Sequence, residues 1–223
     1  MDRRLVGILI FNDVEVLDFC GPFEVLSVTR LDEARRREEP SPFEVVLVAG
    51  TPEAVTTSGG MRVIPAATFA DCPPLDILLV PGGMGTRREM LNEPLLAFVR
   101  AQAERCALVA SVCTGALVLG KAGLLAGLRA TTHWRSLGLM RELFADVAVD
   151  EASNVVDEGR VMTSAGIAAG IDLALRIVQR FHGEAVARAT ARHMEYPFPD
   201  GNGRRNWTSC IGPSSDAGPI HDV

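Results

Sequence analysis

The 223-residue sequence predicts an α/β fold built on a doubly wound, mostly parallel sheet. Three observations predict it. Four short runs are apolar on both faces, as strands buried on both sides are. Longer segments with helical periodicity separate them. Glycines and other small residues follow the third and fourth runs directly, as tight strand-to-helix turns require.

The elements follow in order. The first run, "RLVGILIF", covers Arg4 to Phe11, and a helix is expected over Gly21 to Ala34, with Pro22 near its start. "FEVVLVAG", Phe43 to Gly50, is the second strand, "LDILLVPGG", Leu75 to Gly83, the third, and "CALVASV", Cys106 to Val112, the fourth. Helices are expected over Arg87 to Glu104, Thr114 to Leu125, Trp134 to Phe144 and Gly166 to Phe181. Two stretches, "TTSGGMRVIPAATF" and "NVVDEGRVMTSAG", carry turn signals between strand-like flanks and read as hairpins or edge strands that finish the sheet. Right-handed crossovers would bring ligands to the carboxyl ends of the strands.

A chain of this length fits one core, so residues 1–196 are expected to form a single domain. Residues 197–223, dense in Gly, Pro, Ser and Asp, read as an irregular tail. The net charge of −6 argues against nucleic acid as a partner, and the basic cluster "ARRREE" is followed at once by acids. No apolar run approaches the roughly 20 residues that cross a bilayer, and the N-terminus does not read as a signal peptide. The expectation is a cytoplasmic protein that uses neither membrane nor nucleic acid. Five cysteines at scattered spacings suggest neither a disulfide framework nor a zinc site, and no metal or other cofactor is expected.

Cys113 stands where the fourth strand gives way to "TGALVLGK". A strand end followed by a helix start exposes a thiol and favours its thiolate, so a lowered thiol pKa and a nucleophilic role are expected. The competing reading is a small apolar residue filling a tight turn. Cys106 begins the same strand, far from the ligand edge, while Cys72 lies in a Pro-rich loop and Cys210 in the tail. Cys20 is close to Asp18 in sequence and lacks a visible activating group.

Three other stretches carry candidate chemistry. In "NDVEVLDFCGPFEVL", both Glu15 and Asp18 could reach Cys113 from the first strand's end. Asp18, flanked by Leu17 and Phe19, has the apolar setting that raises a carboxyl pKa and makes a proton donor, whereas Glu15 is expected to face solvent. Either acid could instead complement a helix dipole. "VPGGMGT" lacks the Walker lysine, and its better use is as backbone N–H groups of Gly82, Gly83 and Met84 that hold an oxyanion or substrate. In "RATTHWRS", His133 could orient or deprotonate the thiol, or simply cap a helix beside Trp134. His182, His193 and His221 show no pairing at metal spacing.

Taken together, "VLDFCGPFEVL", "VPGGMGT", "SVCTGALVLGKAGLLAGLRATTHW" and "SAGIAAGIDLAL" make the chain resemble the DJ-1/PfpI superfamily from about Arg4 to Tyr196, and within it the isocyanide hydratases. The resemblance implies a flavodoxin-like sandwich, usually a homodimer, with Cys113 as the nucleophile on a strained elbow and Asp18 as the acid that contacts it. Peptidase members carry His after the cysteine and Glu at the acid position, where this chain has Thr114 and Asp18, which puts protease chemistry in doubt. AraC-like regulators of the superfamily share the Asp and Cys-Thr-Gly pattern but add a helix-turn-helix domain, for which the chain ending at Val223 leaves no room.

The expected reaction converts an isocyanide into an N-substituted formamide through a thioimidate on Cys113. Asp18 delivers the proton as Cys113 attacks and, then ionised, activates water; Thr114 positions Asp18 or water, and Phe19, Leu17 and Trp134 accept the substrate's R group. The rivals are a glyoxalase- or deglycase-like reaction on an α-oxoaldehyde and a redox or small-molecule sensor based on Cys113.

Overall fold

The computed structural model describes residues 3–204. Its strands are β1 (Arg4–Leu9), β2 (Phe43–Ala49), β3 (Val55–Thr56), β4 (Arg62–Val63), β5 (Ala67–Thr68) and β6 (Ile77–Val80). They continue with β7 (Leu108–Val112), β8 (Arg129–Ala130), β9 (Ala148–Val149), β10 (Val155–Asp157) and β11 (Val161–Ser164). The helices are α1 (Val16–Val28), α2 (Thr86–Glu89), α3 (Glu93–Ala103), α4 (Gly115–Lys121), α5 (Leu137–Leu143), α6 (Ala169–His182) and α7 (Glu184–His193).

Seven strands form one sheet in the order β10-β11-β7-β6-β1-β2-β5. Every pairing in it is parallel except that of β10 with β11. All of β6 and all of β7 are buried, which explains why their sequences run apolar without alternation. Helices α3 and α4 touch each other, as do α1, α6 and α7, and both α4 and α6 pack on β7. This is a sheet covered on both faces, the α/β fold the sequence predicts. Each buried Leu or Ile of the central strands stabilises it by about 1.5–3 kcal/mol.

The first helix begins at Val16, not Gly21, and Pro22 lies inside it. The helix thus starts five residues ahead of the expected Gly21 and ends six before the expected Ala34. The helix ends at Val28, where Thr29 turns extended. The expected helix over Arg87 to Glu104 is two helices, α2 and α3, separated where the backbone turns extended at Asn92 ahead of Pro94 in the first turn of α3. Helix α4 stops at Lys121, before Gly123 with φ +81°. Helix α7 was not anticipated; Gly183, φ +86°, separates it from α6.

Of the two expected hairpins, the second is β10 and β11. The first stretch divides its pairing: β4 joins β3, while β5 extends the main sheet beside β2. Of the expected tail, residues 197–204 carry no helix and bridge to the sheet edge, where the Asn154 amide donates to the Asn202 carbonyl at 2.7 Å and Ser153 pairs with Gly203. Residues 205–223, with Cys210 and His221, lie outside the described residues. Among the described residues no helix is long and apolar enough to cross a membrane.

The turn from β7 into α4 presses on β6. A methyl on Gly115 would stand 2.1 Å from the Val80 carbonyl oxygen, which belongs to rigid backbone. Gly115→Ala is therefore expected to destabilise the protein by about 1–3 kcal/mol, read as a lower urea midpoint at unchanged slope.

Candidate active site

Cys113 occupies the one-residue corner between β7 and the turn into α4, with φ +57°. Left-handed backbone at a non-glycine residue costs on the order of 1–3 kcal/mol and persists only where the surroundings enforce it. Three hydrogen bonds do so. The Cys113 amide donates to the carbonyls of Ser164 and Ala165, both at 3.2 Å. The Thr132 hydroxyl donates to the Cys113 carbonyl at 2.8 Å. Of the four described cysteines, all free, Cys113 alone has this conformation.

Asp18 reaches the same point from the first turn of α1 and is fully buried. It stands on a helix rather than in a loop. Its strand β1 is also not adjacent to β7, since β6 lies between them. The glycine turn after β6 closes that gap. The Gly82 amide donates to Asp18 Oδ2 at 2.9 Å, and the Glu15 amide donates to the Gly82 carbonyl at 2.9 Å. A Cβ on Gly82 would lie within 2.8 Å of Asp18 Oδ2 and of Thr114, so only glycine admits the carboxyl here. Gly83, φ +122°, pairs with Val14 and leaves no room for a side chain against the Asp13 carbonyl.

Burial pushes the Asp18 carboxyl up to about 7; the Gly82 amide opposes this, and the charge of Glu15 adds to it. Asp18 and Cys113 also act directly on each other. Asp18 Oδ1 is buried without a hydrogen-bond partner among the described residues. Burial first, and the Asp18 charge second, push the Cys113 thiol well up as well. The amides of Thr114 and Ile167 favour the thiolate but do not outweigh these effects. The expected lowering of the thiol pKa is thus overturned: a 6% exposed sulfur beside a carboxyl loses more from desolvation and like charge than a short helix start returns.

Several other expected roles change. The Gly82 amide holds Asp18 and the Gly83 amide donates to the Thr114 hydroxyl at 3.0 Å, so neither is available to an oxyanion. Met84 is exposed, with its side chain at the surface. The Thr114 hydroxyl also takes a hydrogen bond from Thr86 at 3.0 Å, so it touches Asp18 only through the glycine turn. Phe19, 2% exposed, packs in the hydrophobic core, whereas Leu17 and Trp134 are exposed.

His133 is half-buried, and its Nδ1 takes a hydrogen bond from the Arg135 amide at 3.4 Å. It packs against Gly166, beside the loop that carries Ile167, but it is not among the groups acting on the thiol. Burial, and then the charges of Arg135, Arg204 and Arg87, hold its pKa below the ordinary histidine value. Sequence reading missed Thr86, Thr132 and Ile167. The first two lay inside quoted motifs, but nothing marks an isoleucine for φ +22°. Among the described residues no group of three or more His, Cys, Asp or Glu could hold a metal.

The chain matches the DJ-1/PfpI family over residues 4–180. It is 41% identical over 201 residues to the isonitrile hydratase of Pseudomonas putida, covering 88% of this chain and 82% of that protein. It is 34% identical over 142 residues to the HTH-type transcriptional regulator GbdR of Pseudomonas aeruginosa, covering 64% of this chain but only 38% of the regulator. Its fold is similar to the crystal structure of a ThiJ/PfpI family protein from Pseudomonas syringae, with a TM-score of 0.77 at 30% identity, covering 91% of this chain and 79% of that one. With one family spanning most of its length and a solved member sharing its sheet and helices, the chain belongs to the DJ-1/PfpI family.

Proposed function

We propose that the protein hydrates an isocyanide to an N-substituted formamide, with Cys113 as nucleophile and Asp18 as the group that carries the proton. The observation that carries this reading is a strained, buried thiol acting on a carboxyl held at about 7. Similarity to an isonitrile hydratase over 82% of that protein's length supports it. In this reading the substrate is a small molecule and the protein is a cytoplasmic homodimer that needs no cofactor.

The raised pKa values define the order of events. Above about 7 the pair holds one proton, on sulfur. Asp18 takes that proton as the sulfur attacks the terminal carbon of R–N≡C, forming the C–S bond, and returns it to the same carbon. The product is a thioimidate, R–N=CH–S–Cys113, and Asp18 is again ionised. Asp18 next removes a proton from water as the oxygen adds to the thioimidate carbon, and it passes that proton to nitrogen. The C–S bond then breaks, the hydroxyl proton returns to sulfur by way of Asp18, and R–NH–CHO leaves. Thr114 serves as a positioning residue, holding the glycine turn against which Asp18 is braced.

Wild-type protein incubated with cyclohexyl isocyanide is expected to produce the formamide, followed by its absorbance, and Cys113→Ala none. No turnover by wild type, or undiminished turnover by the variant, would overturn the reading; lactate from methylglyoxal without formamide would favour the glyoxalase alternative. Because the ionised Asp18 starts the reaction, kcat/KM should rise with pH through about 7 and level off above it. A rate that falls over that range would reverse Asp18's first step.

Asp18→Asn should lower turnover at least about 100-fold. The same variant should be more stable than wild type. The native carboxyl keeps its proton up to about 7, whereas the unfolded one loses it near 3.8, so wild-type stability falls between those values as pH rises. The gain in Tm of Asp18→Asn should accordingly grow from pH 4 to pH 7 and then stay constant. A pH-independent difference would contradict the buried ionisation.

A further inference from the structure

We propose that the segment from Tyr196 to Arg204 clamps both backbone groups of Cys113, its amide and its carbonyl, and that Arg204 is thereby a positioning residue for the nucleophile. The inference rests on the reading of Cys113 as the nucleophile and adds what holds it in place.

The need for a clamp comes from the elbow itself. A non-glycine residue keeps φ +57° only where its surroundings impose it. On the amide side those surroundings are Ser164, at the end of β11, and Ala165 just beyond it. On the carbonyl side stands Thr132, which follows β8, a two-residue strand paired with β9 in a small sheet of its own. So short a pairing is a weak anchor for a group that must hold strained backbone.

Asn202 serves the amide side. Its carbonyl accepts from the Asn154 amide at 2.7 Å, and its side chain takes the Val155 amide at 3.1 Å and donates to the Val155 carbonyl at 2.8 Å. The Asn154 carbonyl accepts from the Ala165 amide at 2.8 Å, and the Ala165 carbonyl accepts from the Cys113 amide. A buried acid pins the same residues. Asp172, 2% exposed, takes hydrogen bonds from Asn154 Nδ2 at 2.5 Å and from the Tyr196 hydroxyl at 2.8 Å.

Arg204 serves the carbonyl side. Its Nη2 donates to the Thr132 carbonyl at 3.1 Å and to the Thr131 hydroxyl at 2.6 Å, and its Nε donates to the Glu151 carbonyl at 3.0 Å. Its own amide donates to the Ala152 carbonyl at 2.6 Å. Thr131 and Thr132 are fully buried, so this half-buried guanidinium reaches inward rather than to solvent. Hydrogen bonds from an ion are the stronger kind, and a planar fork fixes its acceptors relative to one another. The Thr132 hydroxyl then holds the Cys113 carbonyl at 2.8 Å. Asn202 and Arg204, two residues apart, thus end at opposite sides of one strained residue. Removing Arg204 frees the corner to relax toward ordinary backbone, which carries the sulfur away from its place beside Asp18.

Amide hydrogen exchange, read by NMR on the full chain, tests the clamp without any turnover. In Arg204→Ala the Cys113 amide should exchange about tenfold faster relative to the amide of Leu79, a buried residue of the central strand β6 that reports global opening. Arg160 likewise binds two main-chain carbonyls, those of Ala103 and Cys106, at the opposite end of β7, and Arg160→Ala should leave that ratio as in wild type. With cyclohexyl isocyanide, Arg204→Ala should lower kcat on the order of tenfold while KM stays within about twofold, because a displaced nucleophile spoils the reacting geometry and not the binding of substrate. Added to Thr132→Val, the same substitution should lower kcat little further, since the link it supports is already gone. An unchanged exchange ratio in Arg204→Ala, an unchanged kcat, or losses that add in the double variant overturn the proposal. If the wild type hydrates no isocyanide, the hydratase reading falls by itself and the exchange ratio decides the clamp.

Discussion

Asp18 and Cys113 are two acids buried side by side, and no cation is among the groups acting on either. Two negative charges cannot both stand there, so near neutrality the pair keeps one proton between carboxyl and sulfur. Everything the site does chemically follows from this constraint. A proton that is costly to lose to water can still pass between two neighbouring groups, and a reaction that needs the same proton removed from sulfur and given to carbon uses that exchange. The thiol is buried and keeps its proton, which differs from a free thiolate exposed to solvent.

The fold maintains the pair through backbone as much as through side chains. The elbow at Cys113 is strained, and hydrogen bonds from β11 and from Thr132 hold it. Asp18 follows β1, two strands away from β7 and Cys113, and is held by the glycine turn after the intervening β6. Thr114 and Thr86 lock that turn from the opposite side. Residues from β1, β6, β7 and β11 therefore converge at the carboxyl ends of parallel strands, the place where such sheets leave a crevice. Each contributor is short and buried, so the geometry is as rigid as the sheet.

The surroundings carry the opposite charge pattern on their two sides. The charges acting on Asp18 are acidic, and those acting on His133 are the arginines Arg135, Arg204 and Arg87. His133 is not among the groups acting on the thiol.

Much of this was legible in the residues themselves. Runs apolar on both faces marked β1, β2, β6 and β7, because a strand covered on both sides has no reason to alternate. The small residues after Val112 marked the elbow, and the apolar neighbours of Asp18 correctly implied a raised carboxyl. What sequence could not supply was every quantity that depends on distance across the sheet. It assigned the amides of Gly82 and Gly83 to a ligand, because it could not see that Asp18 and Thr114 already occupy them. It lowered the thiol pKa on account of a helix start, because burial and the facing carboxyl are set by residues far away in the chain. Sequence by itself determined the fold class, which rests on local pattern, and it singled out Cys113 and Asp18 as candidates. Only the tertiary structure decided which proton the pair holds, because desolvation and Coulomb energy depend on what the fold brings near, not on what the chain places next.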